Sequence, residues 1–240
     1  MYQDRLSRIA GVIVWRHTTP SDLASDTVSE HRVLPDGCMD LVWTGRELLI
    51  AGPDSRATFS LTAPGHVDTG VRFAPGTGPA ALGVRADEVR DRRVPLAELW
   101  PGMRVRWLTE RLAGASEPAT VLEELAAEQR NAAGRSDPVI SAVVAGVRAG
   151  TAVADVAAAV GVSQRRLHRI CLAAFGYSAK TLAGILRMDR AVALARRGVR
   201  FAEVAALTGY ADQAHLARQV RALAGVPLGQ LVRSEPTVGP

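Results

Sequence analysis

The chain of 240 residues carries 29 Lys or Arg side chains against 24 Asp or Glu, a formal net charge of +5. The charge is uneven, because residues 138–240 carry a net charge of +8 and residues 1–137 a net charge of −3. The two cysteines lie in different halves and no apolar run reaches the roughly 18 residues of a membrane span, which argues against disulfide-rich secreted proteins and membrane proteins. We expect a two-domain protein of the cytoplasm, whose basic half meets a polyanion.

Five short segments of the first half, several of them rich in β-branched or aromatic residues, predict strands. Strong turn signals separate them, among them Pro35-Asp36-Gly37 and Gly52-Pro53-Asp54. The predicted strands are Gly11–His17, Met39–Thr44, Glu47–Ala51, Ala57–Leu61 and Val67–Phe73. Short strands spaced in this way favour a small β-barrel or a β-sandwich.

Helical patterns follow the strands after Gly83. Asp87–Arg93 and Leu96–Trp100 predict short helical turns, and repeated apolar residues predict helices over Arg104–Leu112 and Pro118–Gln129. The two longer helices either cover the barrel or form an interface between two copies of the chain.

A linker is predicted where the charge of the chain changes sign. It starts at Asn131, runs through Gly134 and Arg135, and is followed by the helix-start signal Ser136-Asp137-Pro138. The predicted division is a first domain over residues 1–130, a linker over 131–137, a second domain over 138–233 and a tail over 234–240.

The second half of the chain contains one unit twice, at Val153–Arg169 and at Phe201–Arg218. The copies align with an offset of 48 residues in their first part and, after one inserted residue in the second copy, with an offset of 49. The pattern inside each copy is typical of a helix-turn-helix, the motif that places a recognition helix in the major groove of DNA.

Each copy has the three residue types that this motif requires. A small residue lets the first helix cross the second closely, a glycine four positions later adopts the left-handed backbone of the turn, and a polar side chain caps the second helix. These residues are Ala157, Gly161 and Ser163 in the first copy and Ala205, Gly209 and Asp212 in the second.

The second helix of each copy has a polar or basic face that we predict to be exposed. An alternative interpretation is two ordinary helical hairpins with solvated arginines. We predict that this face contacts DNA through Gln164, Arg165, His168 and Arg169 in the first copy and Gln213, His215 and Arg218 in the second. Between the copies, Ala179–Arg197 predicts a helix of about five turns that begins after a Ser178 cap and sets the distance between the two units.

Residues 138–233 resemble the DNA-binding domain of the AraC family of bacterial transcription regulators. The resemblance rests on both helix-turn-helix units, on Arg187-Met188-x-x-Ala191-x-x-Leu194 in the connecting helix, and on the closing Gly225-Val226-Pro227. It implies that the two recognition helices enter successive major grooves on one face of the duplex. It also implies that the side chains reaching base edges are Arg165, His168, Arg169, Gln213 and Arg218.

The first half resembles the cupin-type sensory domain that accompanies this DNA-binding domain in many family members. The segments that carry the resemblance are Leu34–Asp40 and Gly70–Gly76. The mouth of such a barrel is a site for a small-molecule effector. Its candidate lining residues are Trp15, Trp43, Phe59, Arg72 and Phe73, and the alternative is that the aromatic residues belong to the core.

We thus predict an α+β protein: an N-terminal cupin-like β-barrel with short helices, then an all-α domain of two helix-turn-helix units joined by a long helix. The predicted function is transcription regulation on double-stranded DNA under a small-molecule effector. Contact with RNA polymerase and a homodimer remain open. We expect no catalytic residue, cofactor or metal.

Two alternatives are an architectural DNA-binding protein without an effector and a metal-dependent cupin enzyme tethered to a DNA-binding domain. For the latter, the metal ligands would come from His17, His31, His66, Cys38, Asp36 and Asp40, although no His-x-His or Cys-x-x-Cys spacing occurs.

Overall fold

The computed structural model describes residues 1–21, 29–134 and 137–233, and the predicted α+β architecture is confirmed. Two antiparallel sheets fill the first half: one has six strands in the order β1-β2-β7-β4-β5-β8, and the other pairs β3 with β6. The strands are β1 (Tyr2–Leu6), β2 (Val12–Thr18), β3 (Ser29–Val33), β4 (Met39–Trp43), β5 (Leu48–Ala51), β6 (Thr58–Thr62), β7 (Val67–Phe73) and β8 (Arg93–Pro95). Among the described strands, no backbone ladder joins the two sheets, but the Arg93 side chain of β8 donates a hydrogen bond to Thr58 of β6 at 3.1 Å.

All five predicted strands are present, while β1, β3 and β8 are additional. The residues of β1 and β3 are mostly charged or polar, so these segments have little of the apolar alternation that marks a strand; β1 is largely exposed and β3 is largely half-buried. The prediction of helical turns over Asp87–Arg93 was wrong in its second part, because the segment passes through irregular turns into β8. Asp91 has a positive φ of 58°, which interrupts any helical path. Leu96–Glu98 forms a single 3₁₀ turn.

The six-stranded sheet has one face against helices and one face towards the β3–β6 pair. The helices are α1 (Gly78–Leu82), α2 (Gly102–Ala113) and α3 (Pro118–Ala133). The residues that pack under them include Leu41, Ile50, Val71 and Leu122, all essentially inaccessible to solvent. The two longer predicted helices are therefore present, and they cover the sheet. Since α3 runs to Ala133, the first three residues of the predicted linker are helical, and Arg135 and Ser136 lie outside the described residues.

The second half is all helical. Its elements are α4 (Pro138–Arg148), α5 (Val153–Ala159), α6 (Gln164–Phe175), α7 (Ala179–Arg196), α8 (Phe201–Leu207), α9 (Gln213–Ala224) and α10 (Leu228–Arg233). The two helix-turn-helix units are α5–α6 and α8–α9, and α7 connects them as predicted. Within the described ranges, no helix combines the length and the apolar character needed to cross a membrane.

The local signals of the helix-turn-helix units are confirmed. Ala157 and Ala205 are buried where the helices cross, and Gly161 and Gly209 have φ values of 68° and 75°. The three predicted caps are also formed, because each side-chain oxygen accepts a backbone N–H from the first turn of its helix. They are Ser163 (from Arg166, 3.3 Å), Ser178 (from Thr181, 3.1 Å) and Asp212 (from His215, 2.6 Å).

A buried carboxylate ties the N-terminal strand to α3. Glu123 accepts hydrogen bonds from both terminal nitrogens of Arg5 (2.7 and 3.3 Å), from the Ser7 hydroxyl (2.5 Å) and from the Arg8 backbone N–H (3.2 Å). These donors, with Arg5 first, lower the pKa of Glu123 from 4.5 to about 2. The edge strand β1 is thereby fastened to the helical layer by charge rather than by apolar packing.

We expect this carboxylate to make stability depend on pH. Because the folded-state pKa lies below the unfolded value, the stabilisation is present at neutral pH and is lost as the pH falls from 4.5 towards 2. Urea unfolding at several pH values should show that the free energy of unfolding falls less steeply for Glu123→Gln than for the wild type between about pH 5 and pH 3. Parallel pH profiles would contradict this assignment.

Candidate nucleic-acid interface and ligand pocket

The recognition helix of the first unit is α6. Leu167 and Cys171 face the core of the domain, and at 100° per residue Arg165 and Arg169 lie on the opposite side, with His168 on the flank. All three are exposed, as is the predicted Gln164 at the first position of the helix. This surface offers two guanidinium groups and an imidazole to a partner, and these groups suit phosphate oxygens and guanine edges.

The recognition helix of the second unit, α9, has a different outward face. Leu216 and Val220 are buried, and Arg218 lies on the opposite side at the position that Arg169 has in α6. The counterparts of Arg165 and His168, 49 residues further on, are exposed alanines, Ala214 and Ala217. The prediction from sequence missed these two, although the offset of the repeat identifies them. Gln213 is exposed, as we predicted.

His215 is less accessible than the other predicted contacts. Its ring lies edge-on to Tyr210 with centroids 5.3 Å apart, and its Nδ1 accepts the Ala211 backbone N–H at 3.3 Å. The side chain is therefore engaged with the turn that precedes its own helix. Contact of His215 with DNA stays a prediction.

The connecting helix α7 contributes to the cores of both units. Leu182 and Ile185 pack in the first unit, and Met188 and Ala191 pack in the second, all four fully buried. In addition, the guanidinium of Arg187 lies 4.5 Å from the ring centroid of Tyr210. One rigid helix thus enters both hydrophobic clusters, which sets the geometry between α6 and α9.

A cavity of about 270 Å³ lies between the two sheets of the first half. Trp15, Asp40 and Arg72 form part of its floor. Gly70, opposite Trp15 in the ladder, has no side chain because the indole occupies that space: a Cβ there would lie 2.4 Å from the ring. The indole Nε1 donates to Asp40 Oδ1 at 3.0 Å.

Arg72 is a buried cation with two carboxylate partners. Its Nε and Nη2 donate to Asp40 at 2.9 and 3.2 Å, and its Nη1 lies 3.3 Å from Asp36 Oδ2. Burial alone would lower the pKa of Arg72, but the charges of Asp40 and Asp36 raise it well above its ordinary value. The guanidinium is thus fully ionised and its charge is met within the protein.

Two of the five predicted pocket residues lie on the wrong face of the sheet. Trp15, Phe59 and Arg72 line the cavity, but Trp43 and Phe73 are buried in the core under α1–α3. Side chains alternate along a strand, so Phe73 points away from the side that Arg72 faces. The alternative that these aromatics are core residues is confirmed for Trp43 and Phe73.

The cavity also contains histidines that we had considered only as metal ligands. The rings of His17 and His31 lie 4.2 Å apart between centroids, and His66 Nε2 lies 2.9 Å from Asp68 Oδ1. Burial, and then the neighbouring His31, lower the pKa of His17 to about 4. The pKa of His31 is likewise lowered by burial. Both rings are neutral at pH 7.

The predicted metal set is not gathered at one point. Among the described residues, no group of three or more His, Cys, Asp or Glu side chains is placed to hold a metal ion. Burial, followed by the charge of Asp36, raises the pKa of the Cys38 thiol. Cys38 is therefore a protonated thiol and not an activated nucleophile.

The first half of the chain contacts the C-terminal end of α6. The Ala86 backbone N–H donates to the Ala173 carbonyl at 2.9 Å, and Arg90 Nη1 donates to the Gly176 carbonyl at 3.0 Å. The last carbonyls of a helix lack partners within it, and a cation there is favoured by the helix dipole. These contacts satisfy both requirements.

The C-terminal end of α9 is held in the same way, by the β3–β6 pair. The Ala57 backbone N–H donates to the Leu223 carbonyl at 2.7 Å, and Arg32 Nη1 donates to the Ala224 carbonyl at 2.8 Å. Arg32 also stacks on the ring of Phe59, 4.5 Å from its centroid. Different parts of the first domain thus form hydrogen bonds with the C-terminal ends of the two recognition helices.

Comparison with known proteins finds one family match in each half of the chain. A family model described as a helix-turn-helix domain matches residues 156–234, and a domain of unknown function (DUF6597) matches residues 12–95. No curated protein matches the chain significantly.

Solved structures similar to this chain include ToxT from Vibrio cholerae strain SCE256 in two forms. A ligand-free variant has 11% identity and a TM-score of 0.49 over 95% of this chain and 98% of that one. The wild type bound to an unsaturated fatty acid has 10% identity and a TM-score of 0.46 over 95% and 97%.

The close approach of Trp15 to Gly70 is directly testable. Gly70→Ala should lower the free energy of unfolding by roughly 1–3 kcal/mol and change the tryptophan fluorescence, because the new methyl group displaces the indole from Asp40. Gly102→Ala is the matched control, since a Cβ at Gly102 meets nothing within 4 Å. Unchanged unfolding and fluorescence in Gly70→Ala would contradict the packing described here.

Proposed function

We propose that this chain is a transcription regulator of the AraC type that reads a composite DNA site with α6 and α9 under the control of a small molecule bound between its two sheets. The match of residues 156–234 to a helix-turn-helix domain supports a DNA-binding regulator. The base contacts, the effector and the route of control are the proposal.

The observation that carries the DNA-reading proposal is the pair Arg169 and Arg218. They occupy the same outward position in the two recognition helices, and α7 links the cores of both units. The net charge of +8 over residues 138–240 supplies the attraction to the phosphate backbone. Arginine in this position suits guanine, whose O6 and N7 accept both arms of a guanidinium.

We expect the two helices to read different half-sites. In α6, Arg165 and His168 accompany Arg169, so three polar side chains seek hydrogen bonds with base edges. In α9, Ala214 and Ala217 flank Arg218, and their methyl groups suit contact with the C5-methyl group of thymine. A selected DNA site should therefore be asymmetric, with a thymine-containing half opposite α9.

Base reading is tested by removing the equivalent arginines. Arg169→Ala and Arg218→Ala should each weaken binding to the selected site by about 1–3 kcal/mol and relax base preference in one half-site only. The measurement is binding of the full chain to all single-base variants of that site. Arg46→Ala removes one exposed positive charge from the first domain and should leave the preferences unchanged. An unaltered base preference in both α6 and α9 variants would exclude these residues as readers.

The control proposal rests on the β3–β6 pair, which borders the cavity and also grips α9. His31, Val33, Thr58 and Ser60 from this pair line the cavity, while Arg32, which lies between two of them, binds the Ala224 carbonyl. No described ladder fastens the pair to the six-stranded sheet. A ligand that shifts the pair would therefore shift the end of a recognition helix, giving a coupling between the two sites.

The ligand dependence of DNA affinity in two variants tests whether control passes through the β3–β6 pair. With a compound chosen because it raises the melting temperature of the full chain, DNA affinity should change about fivefold or more in the wild type. That change should largely vanish in Arg32→Ala and persist in Arg90→Ala, which removes the equivalent contact at α6 but lies outside the β3–β6 pair. Equal ligand dependence in both variants would contradict control through β3–β6.

Other parts of the prediction stay untested. A homodimer, contact with RNA polymerase, a cytoplasmic location and the domain boundaries remain predictions. The exposed side chains of Met103 and Trp107 on α2 are the apolar surface that a second copy would cover.

A further inference from the structure

Both arginines that line the cavity are already neutralised by the protein. Arg72 is bound by Asp40 and Asp36, as described above. The guanidinium of Arg93 donates to both oxygens of Asp54 at 2.7 and 2.6 Å. An anionic ligand would therefore have to break one of these pairs to find a cationic partner, leaving a buried carboxylate without its counter-charge.

The carboxylates in and around the cavity outnumber the guanidinium groups. Asp40 and Asp68 line it, and Asp36 and Asp54 lie directly behind Arg72 and Arg93. Asp68 is hydrogen-bonded to His66, while His17 and His31 are neutral near pH 7. Each of these carboxylates is nevertheless already paired, Asp36 and Asp40 with Arg72, Asp54 with Arg93 and Asp68 with His66. The cavity wall therefore offers no unpaired charge to an anion or to a cation.

Two polar atoms in the cavity wall have no partner within the protein. The Nδ1 atoms of His17 and His31 are buried and unsatisfied in the described structure. An unsatisfied buried nitrogen is costly, and a ligand atom that hydrogen-bonds to it recovers that cost. The remaining wall is largely apolar, with Trp15, Val42 and Leu49 facing the space.

We infer that the cavity takes an uncharged, mainly apolar molecule about the size of a fused two-ring compound, with a polar atom that hydrogen-bonds to the imidazoles of His17 and His31. The size follows from the volume of about 270 Å³, since a cavity of about 150 Å³ accommodates benzene. This inference deepens the proposed function, because it names the chemical class of the effector.

Three probes of one ring system separate the charge classes: indole is neutral, indole-3-carboxylate is an anion and tryptamine is a cation. Isothermal titration of the full chain without DNA should show indole binding at least about tenfold more tightly than either charged probe. Equal or tighter binding of the carboxylate or of the amine overturns the inference, and so does the absence of indole binding at millimolar concentration.

Two variants tie the binding to the named atoms. His31→Phe keeps an aromatic ring but removes Nδ1, and should weaken indole about fivefold or more. Asp54→Asn frees Arg93 and should allow indole-3-carboxylate to bind. Arg46→Ala should leave all three affinities unchanged. If His31→Phe binds indole as well as the wild type while circular dichroism shows an unaltered fold, the imidazole contact is wrong.

The titration and the DNA-affinity measurement together distinguish a failure of this inference from a failure of the proposed function. If indole binds as expected but DNA affinity does not respond to any neutral ligand of the cavity, the ligand class stands and the effector role fails. If DNA affinity responds to a compound that is anionic or cationic and competes with indole, the effector role stands and the ligand class fails.

Discussion

The buried cation Arg72 organises the first domain and its border with the second. A guanidinium that is 3% exposed must be paired, and its partners come from the turn and strand that follow β3, namely Asp36 and Asp40. Pairing therefore brings residues 36–40 onto β7. It also places Gly37, at φ 83°, where an added Cβ would lie 3.1 Å from Leu182 of α7. One ion network thus lies between the cavity floor and the helix that joins the two reading units.

The border between the domains includes hydrogen bonds to backbone carbonyls of both recognition helices. Four hydrogen bonds end on carbonyls at the last turns of α6 and α9, and two of their donors are arginines. A helix end needs such partners wherever it is shielded from water, so the first domain completes the capping of both recognition helices. Of the two donors near α9, Arg32 belongs to β3 and Ala57 immediately precedes β6, so the strand pair that borders the cavity contributes both to packing and to the proposed control.

The duplicated unit shows how one set of local rules can serve two different surfaces. The crossing alanine, the turn glycine and the capping oxygen are the same in kind in both copies, because helix geometry demands them. Helix geometry does not restrict the residue type at the outward-facing positions. Two of these positions hold Arg165 and His168 in α6 but Ala214 and Ala217 in α9. A third position holds an arginine in both helices, Arg169 in α6 and Arg218 in α9. The shared fold and the divergent faces agree with the proposal that the two units read unlike half-sites.

The sequence by itself determined the helical half. Its signals lie within a few residues of one another, as in Ala157, Gly161 and Ser163, so each element follows from its own segment. Only the tertiary structure decided the lining of the cavity. Alternation along β7 places Arg72 and Phe73 on opposite faces, but which face meets the helices depends on the packing of α1–α3.

The strand β3 and its His31 have no clear signal in the sequence. His17 and Asp68 could have been predicted, because His17 lies two residues from Trp15 and Asp68 four residues from Arg72, each pair on one face of its strand. The grip of Arg32 on Ala224 joins residues 192 positions apart. Contacts over such separations depend on how the domains meet, and no local periodicity records that.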